Sequence, residues 1–177
     1  MANITAFSGS NSSTSINFEL VKYTVSLVQG HKVQVLNMAN FPFPMYSEDY
    51  ENENGYSNSL IELKDDIAKA GGLILSVNEH NGNPSAYFKN LIDWLSRLER
   101  NFLADTKILL MSTSAGKRGG IGSLEVVKNI LPRFGAEIVA TFSLPLFKVN
   151  FEINKGITDT HLAEAHRSAL NDFLAKL

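Results

Sequence analysis

Three loops in this 177-residue chain concentrate residue types that bind small molecules through hydroxyls and backbone amides. The first, Ser8-Gly9-Ser10-Asn11-Ser12-Ser13-Thr14-Ser15-Ile16-Asn17, runs from an apolar segment straight into a helical pattern. Small hydroxyls and free N–H groups at the positive end of a helix suit a phosphate. The same residues also suit a solvated turn with a Ser or Thr N-cap. Gly9 stands alone, so there is neither a dinucleotide G-x-G-x-x-G pattern nor a Walker loop. That favours a phosphate monoester over a dinucleotide or a nucleoside triphosphate.

The second loop, Asn78-Glu79-His80-Asn81-Gly82-Asn83-Pro84-Ser85, leads into a helical pattern carrying Lys89, Asn90, Asp93 and Trp94. Its glycine and asparagines permit left-handed backbone and close approach to a flat ring. A plain turn ended by Pro84 at a helix start is the simpler alternative. The third, Ser112-Thr113-Ser114-Ala115-Gly116-Lys117-Arg118-Gly119-Gly120, holds three glycines in five residues. They mark backbone that must come near something, a mobile lid, or a merely flexible link.

No side-chain catalyst stands out. The chain has no cysteine, which excludes disulfides, thiolate nucleophiles, Fe–S clusters and thiolate zinc sites. His161 and His166 are five apart and do not share a helix face as a zinc pair would. No metal is expected, and redox chemistry would need a bound organic cofactor. With 44% hydrophobic and 19% charged residues and a net charge of -2, the composition is that of an ordinary globule. Lys117-Arg118 is the one adjacent basic pair, which argues against nucleic acid. No apolar stretch approaches the ~20 residues of a spanning helix, and the start lacks a signal-peptide pattern. A cytoplasmic protein is expected.

The elements that must position these loops follow from periodicity. Apolar, β-branched runs at residues 3–8, 32–37, 72–78, 107–113 and 137–144 read as strands buried on both faces. Between and after them, residues 15–29, 57–70, 85–103, 121–134 and 159–177 show helical spacing. The alternation predicts an α/β fold with a doubly wound parallel sheet, read as one domain over 1–177. Ligands in such sheets bind beyond the carboxyl ends of the strands, at the switch between the first and third, where all three loops fall. Two connections, residues 41–56 and 147–158, are long enough to suggest function or an interface.

Together the loops resemble the NADPH-dependent FMN reductase family of flavodoxin-like proteins. Its signature Gly-Ser-x-Arg-x-x-Ser-x-Asn aligns with Gly9 to Asn17, and its second motif aligns with Asn78 to Trp94. Glu79, Asn81, Gly82, Lys89, Asn90, Asp93 and Trp94 are kept in the second motif. Ser12 stands in place of the family arginine, Asn78 and His80 in place of Pro and Tyr, and Ser85-Ala86 in place of Pro-Gly.

The resemblance implies a three-layer sandwich with a five-stranded sheet in the order 2-1-3-4-5. It implies FMN with Ser10, Ser12, Ser15, Ile16 and Asn17 about its phosphate. Glu79, His80, Asn81 and Gly82 would lie along the ring, and Ser112, Ser114, Gly116 and Gly119 would close the other side. The implied activity is hydride transfer from NADPH or NADH through FMN to a quinone, free flavin, azo compound or metal ion. A homodimer or homotetramer is implied too, with the Trp94 helix and the acidic stretch Tyr46-Ser47-Glu48-Asp49-Tyr50-Glu51 at the interface. Two alternatives stay open: an FMN-binding electron carrier or sensor, and an interaction protein without cofactor.

Overall fold

In a computed structural model describing residues 1–177, the strand-like runs form one parallel sheet. The chain begins with β1 (Asn3–Ser8), α1 (Ile16–Ser26) and β2 (Lys32–Leu36). It continues through α2 (Glu48–Asn54), α3 (Asn58–Lys69), β3 (Gly72–Val77) and a small antiparallel pair, β4 (Glu79–His80) and β5 (Asn83–Pro84). Next come α4 (Ala86–Leu98), β6 (Lys107–Thr113), α5 (Ile121–Ile130) and β7 (Glu137–Leu144). The last part is α6 (Phe147–Asn150), a second pair of β8 (Phe151–Glu152) and β9 (Gly156–Ile157), and α7 (Thr160–Leu174).

The main sheet runs β2-β1-β3-β6-β7, every pairing parallel. Counting only its own strands, that is the expected order 2-1-3-4-5. Strand geometry turns alternate side chains to opposite faces, so the central strands feed two cores. Phe7, Leu73, Leu75, Ile108 and Leu110 pack with α3, α4 and α5. Ile4, Ala6, Ile74, Leu109 and Met111 pack with α1 and α7 on the other side.

The expectation of burial on both faces holds for β1, β3 and β6 and fails for the outer two. β2 and β7 are edge strands with one neighbour each, and their burial is patchy; Val35 is 40% exposed. Several helices are also shorter than their periodicity suggests. The 121–134 segment turns from α5 into a 3₁₀ turn at Leu131–Phe134, because Pro132 cannot supply the N–H that a continuing helix needs. α4 stops at Leu98, α1 at Ser26 and α7 at Leu174.

The long connections are not loose. Residues 41–56 include α2 and are stapled to α4 by Asn90 and Trp94. Asn90 Nδ2 and Trp94 Nε1 both donate to the Pro44 carbonyl (2.9 and 2.8 Å), while Asn90 Oδ1 accepts from Tyr46 N (2.7 Å). Tyr46, Tyr50 and Tyr56 all set their rings edge-on to Trp94. Glu51 accepts hydrogen bonds from Arg97 and from the Tyr56 and Tyr46 hydroxyls, which together hold its carboxyl down at about 2.

A buried histidine joins α1 to α7. Thr24 Oγ1 is hydrogen-bonded both to the Leu20 carbonyl and to His166 Nε2, each at 2.8 Å. His166 is 1% exposed and its Nδ1 has no partner, so burial, helped by the nearby Arg167 charge, lowers its pKa from 6.5 to about 4. The folded state therefore binds this proton later than the unfolded chain does. Stability is full above pH 6.5, falls as the pH drops toward 4, and levels off below, a loss of about 3 kcal/mol from this group. His166→Leu should flatten that part of the profile; urea unfolding between pH 7 and 4 reads it, and equal slopes would remove the assignment.

Candidate functional site

Four of the five long helices open on a side-chain cap: Ser15, Ser57, Ser85 and Asp159 each accept the amide three residues on. α5 opens on Gly120, which has no side chain to offer. Its cap comes from elsewhere in the fold: Glu79 Oε2 accepts from Ser123 N at 3.0 Å. Being anionic at a helix N-terminus, it is favoured by the dipole as well.

That contact clamps the β4–β5 hairpin onto α5. The hairpin turns through Asn81 (φ 54) and Gly82 (φ 75), two successive left-handed residues of the kind an Asn-Gly turn supplies. The fit is close: a Cβ on Gly122 would lie 2.7 Å from Glu79 Oε2 and 3.0 Å from the Gly82 carbonyl. The backbone freedom of Asn81 and Gly82 thus serves a hairpin, for which an Asn-Gly dipeptide is itself a strong short-range signal.

Above the carboxyl ends of β1, β3 and β6 lies an open cleft of about 300 Å³. One wall is the start of α1 with Ser10, Thr14, Ser15, Ile16 and Asn17. The second is Asn78, Glu79 and His80, and the third is Thr113, Ser114 and Ala115. So, of the candidate residues, Ser10, Ser15, Ile16, Asn17, Glu79, His80 and Ser114 line one cleft. Thr14, Asn78, Thr113 and Ala115 join them; they flank the expected residues, and only the tertiary packing shows which flank faces inward.

The other candidates shape the cleft from outside its lining. Ser12 Oγ accepts from Thr14 N (3.3 Å) and holds the turn. Asn81 and Gly82 form the hairpin tip. Ser112 is fully buried and donates to the Gly119 carbonyl (2.8 Å), which also accepts from Ser143 Oγ (3.0 Å). Gly119 has φ +60, and a Cβ there would fall 2.9 Å from the Leu144 carbonyl carbon. The Gly116 carbonyl accepts from Gly119 N and Leu146 N. Of the readings open for this loop, close backbone approach is the one its geometry fits.

The first turn is drawn tightly against its neighbours. Gly9 N donates to the Ser76 carbonyl (2.8 Å), and Ser85 Oγ donates to the Gly9 carbonyl (2.9 Å). A Cβ on Gly9 would meet Phe88 Cδ2 at 2.9 Å, so glycine is required here for proximity rather than for its torsion angles. Ser10 Oγ accepts from Ser12 N (3.2 Å) and Ser15 Oγ from Phe18 N (3.2 Å), leaving each hydroxyl proton free to donate. The amides of Ile16 and Asn17 in the first turn of α1 have no protein acceptor.

These features fit a phosphate at α1: free amides, donating hydroxyls and the positive helix end. No lysine or arginine lines the cleft. Farther along, Asn78 Oδ1 is buried without a partner, while its Nδ2 approaches His80 Nε2 at 3.4 Å. An unpaired acceptor beside exposed strand-end backbone fits a polar, flat ring better than an apolar one.

A family model described as NADPH-dependent FMN reductase matches residues 2–148. A quinone reductase of Escherichia coli K12 is 35% identical over 77 residues, 44% of this chain and 41% of the relative. The match thus spans about two fifths of that protein's length. An NADPH:quinone oxidoreductase of Arabidopsis thaliana is 29% identical over 121 residues, 66% of this chain and 60% of the relative. Among solved structures, the flavoenzyme NAD(P)H:(acceptor) oxidoreductase FerB of Paracoccus denitrificans superposes with TM-score 0.77 at 21% identity, covering 99% and 96% of the two chains. The apo form of the NADH:FMN oxidoreductase EMOB gives 0.78 at 19%, covering 100% and 90%. At those identities the likeness to both structures shows a shared fold.

The borrowed cap yields a test. Glu79→Ala should cost about 1 kcal/mol, the ordinary worth of an N-cap, and speed hydrogen exchange at the Ser123 amide. Glu79→Gln keeps an acceptor and should lose less. Exchange at Ser123 that is indifferent to both changes would show that the cap does not hold α5.

Proposed function

Because the chain belongs to the NADPH-dependent FMN reductase family, we propose that it is an oxidoreductase that binds FMN in the cleft and passes hydride from NADPH or NADH to a small oxidised acceptor. Residues 1–177 then act as one FMN-binding domain. The observation that carries this is the start of α1: free amides at Ile16 and Asn17 beside the donating hydroxyls of Ser10 and Ser15, opening into a cleft at the strand ends.

In this reading bound FMN supplies a ring that accepts and releases hydride, and the protein supplies position and electrostatics. Ser10, Ser15 and the first amides of α1 hold the phosphate, with no side-chain cation needed. The stretch Asn78–His80 presents backbone and amide dipoles along one side of the ring, and Ser114 with Ala115 borders the other. No side-chain nucleophile or general base is required for the hydride step, because the nicotinamide brings the hydride; a quinone would leave with two electrons and two protons, one of them drawn from solvent, and a ferric acceptor with one electron.

The acceptor class carried by the resemblance is a quinone, free flavin, azo compound or metal ion. A cytoplasmic setting and a homodimer or homotetramer belong to the same reading. No helix is long and apolar enough to cross a membrane.

Purified protein should be yellow or become so on adding FMN, and should oxidise NADPH or NADH when a quinone or ferric acceptor is supplied. Colourless protein that FMN leaves unchanged would end the flavin reading; full FMN occupancy without nicotinamide turnover would make it an electron carrier. Ser15→Asp sharpens the phosphate assignment, since aspartate still caps α1 but brings a negative charge to the site. It should weaken FMN at least about tenfold in fluorescence titrations and leave riboflavin, which lacks the phosphate, unchanged. Equal binding of FMN before and after the substitution would move the phosphate elsewhere.

A further inference from the structure

The three walls of the cleft come from three separate loops, and one side chain on the first of them bonds to the strand ends behind the other two. Asn17 is 2% exposed in the first turn of α1. Its Oδ1 accepts from Thr113 N (3.0 Å) and from Ser76 Oγ (2.8 Å), and its Nδ2 donates to the Thr113 carbonyl (3.1 Å). The amide thus pairs with both main-chain groups of Thr113 much as the peptide of an added strand would. Because Thr113 presents a donor and an acceptor side by side, only one orientation of the amide satisfies both.

The partners extend the junction. Ser76 also offers its carbonyl to Gly9 N (2.8 Å), and Thr113 Oγ1 donates to the Leu144 carbonyl (2.7 Å). α1 is therefore pinned to β3 and β6 at the height where the first turn, the Asn78–His80 wall and the Thr113–Ala115 wall begin. Three of the four hydrogen-bonding capacities of Asn17 are spent inside the protein.

We propose that the side chain of Asn17, as distinct from its backbone amide, is a positioning group for the flavin site rather than a phosphate ligand: it sets the spacing of the walls and acts on the whole flavin through them. This rests on the flavin reading above. A phosphate ligand would discriminate FMN from riboflavin, whereas a residue that sets the width of the cleft affects both alike.

Titrations of full-length protein with FMN and with riboflavin, followed by flavin fluorescence, separate the two. Asn17→Ala should weaken both flavins by a similar factor, about tenfold, with the far-UV circular dichroism retained. Ser76→Ala, which removes one of the two bonds to Oδ1, should weaken both by less. Asn17→Asp supplies a readout that packing alone would not move. Its ionised carboxylate faces the Thr113 carbonyl, while its protonated form has an O–H to donate there. Riboflavin affinity of this variant should therefore recover as the pH is lowered, against the wild-type trend.

A loss confined to FMN would make Asn17 a phosphate ligand and overturn the proposal. So would wild-type affinity in Asn17→Ala, or an Asn17→Asp variant whose riboflavin binding follows pH as the wild type does. Wild-type protein that binds neither flavin would overturn the flavin reading itself; binding that Asn17→Ala leaves intact would overturn this inference alone. Should Asn17→Ala fail to fold, Ser76→Ala and the Asn17→Asp titration decide.

Discussion

Parallel strands that end at a binding cleft leave carbonyls and amides that no further strand will pair, and these must be satisfied without filling the space above them. Here side chains do this work. Asn17 pairs with Thr113, Ser76 reaches Asn17, Thr113 reaches Leu144, and Ser112 and Ser143 share the Gly119 carbonyl. Small hydroxyls and one amide satisfy the ends within a layer one side chain thick. The cleft stays open because nothing longer is needed to close the hydrogen bonds beneath it.

Everything around that layer is held by close approach. Gly9 lets the first turn lie on Phe88, Gly119 lets the third loop lie against the end of β7, and Gly122 lets the hairpin lie on α5. Glu79 completes the arrangement by capping a helix whose own N-cap residue, Gly120, is a glycine. The glycines of the site thus mark close contacts rather than open chain. A side chain would be costliest at Gly119, where backbone atoms of Leu144 and Pro145 lie 2.9 Å from the position of a Cβ and φ is +60.

The 41–56 segment follows the same logic at a distance from the cleft. Three tyrosines, one glutamate and one arginine gather on Trp94 and α4, and their polar groups are largely spent on one another. The aromatic residues of this stretch therefore do not line the cleft, whose walls are mainly hydroxyls, amides and backbone. That contrast bears on which acceptors suit the site, since a polar cleft offers little apolar area for a large hydrophobic partner to bury.

The sequence by itself determined a parallel, doubly wound sheet, while its strand order followed only from the family that the loops resemble. Buried apolar runs of strand length alternate with amphipathic segments, and few folds accommodate that pattern. It also located the three loops, because residues beyond the ends of parallel strands are confined to one edge of the molecule. What it left undecided are the facts that depend on two distant segments meeting. Periodicity cannot tell an edge strand from a central one, so β2 and β7 read as buried like the rest. Pro132 was visible, yet the 3₁₀ turn it enforces depends on the helix before it. Above all, only the tertiary structure divides the candidate residues between facing the cleft and supporting it. Asn17, Glu79 and Ser112 look like ligands in a motif, but their hydrogen bonds run 96, 44 and 7 residues along the chain to Thr113, Ser123 and Gly119. Which way a polar side chain turns is set by the partner the fold brings to it, and a local pattern carries no record of that partner.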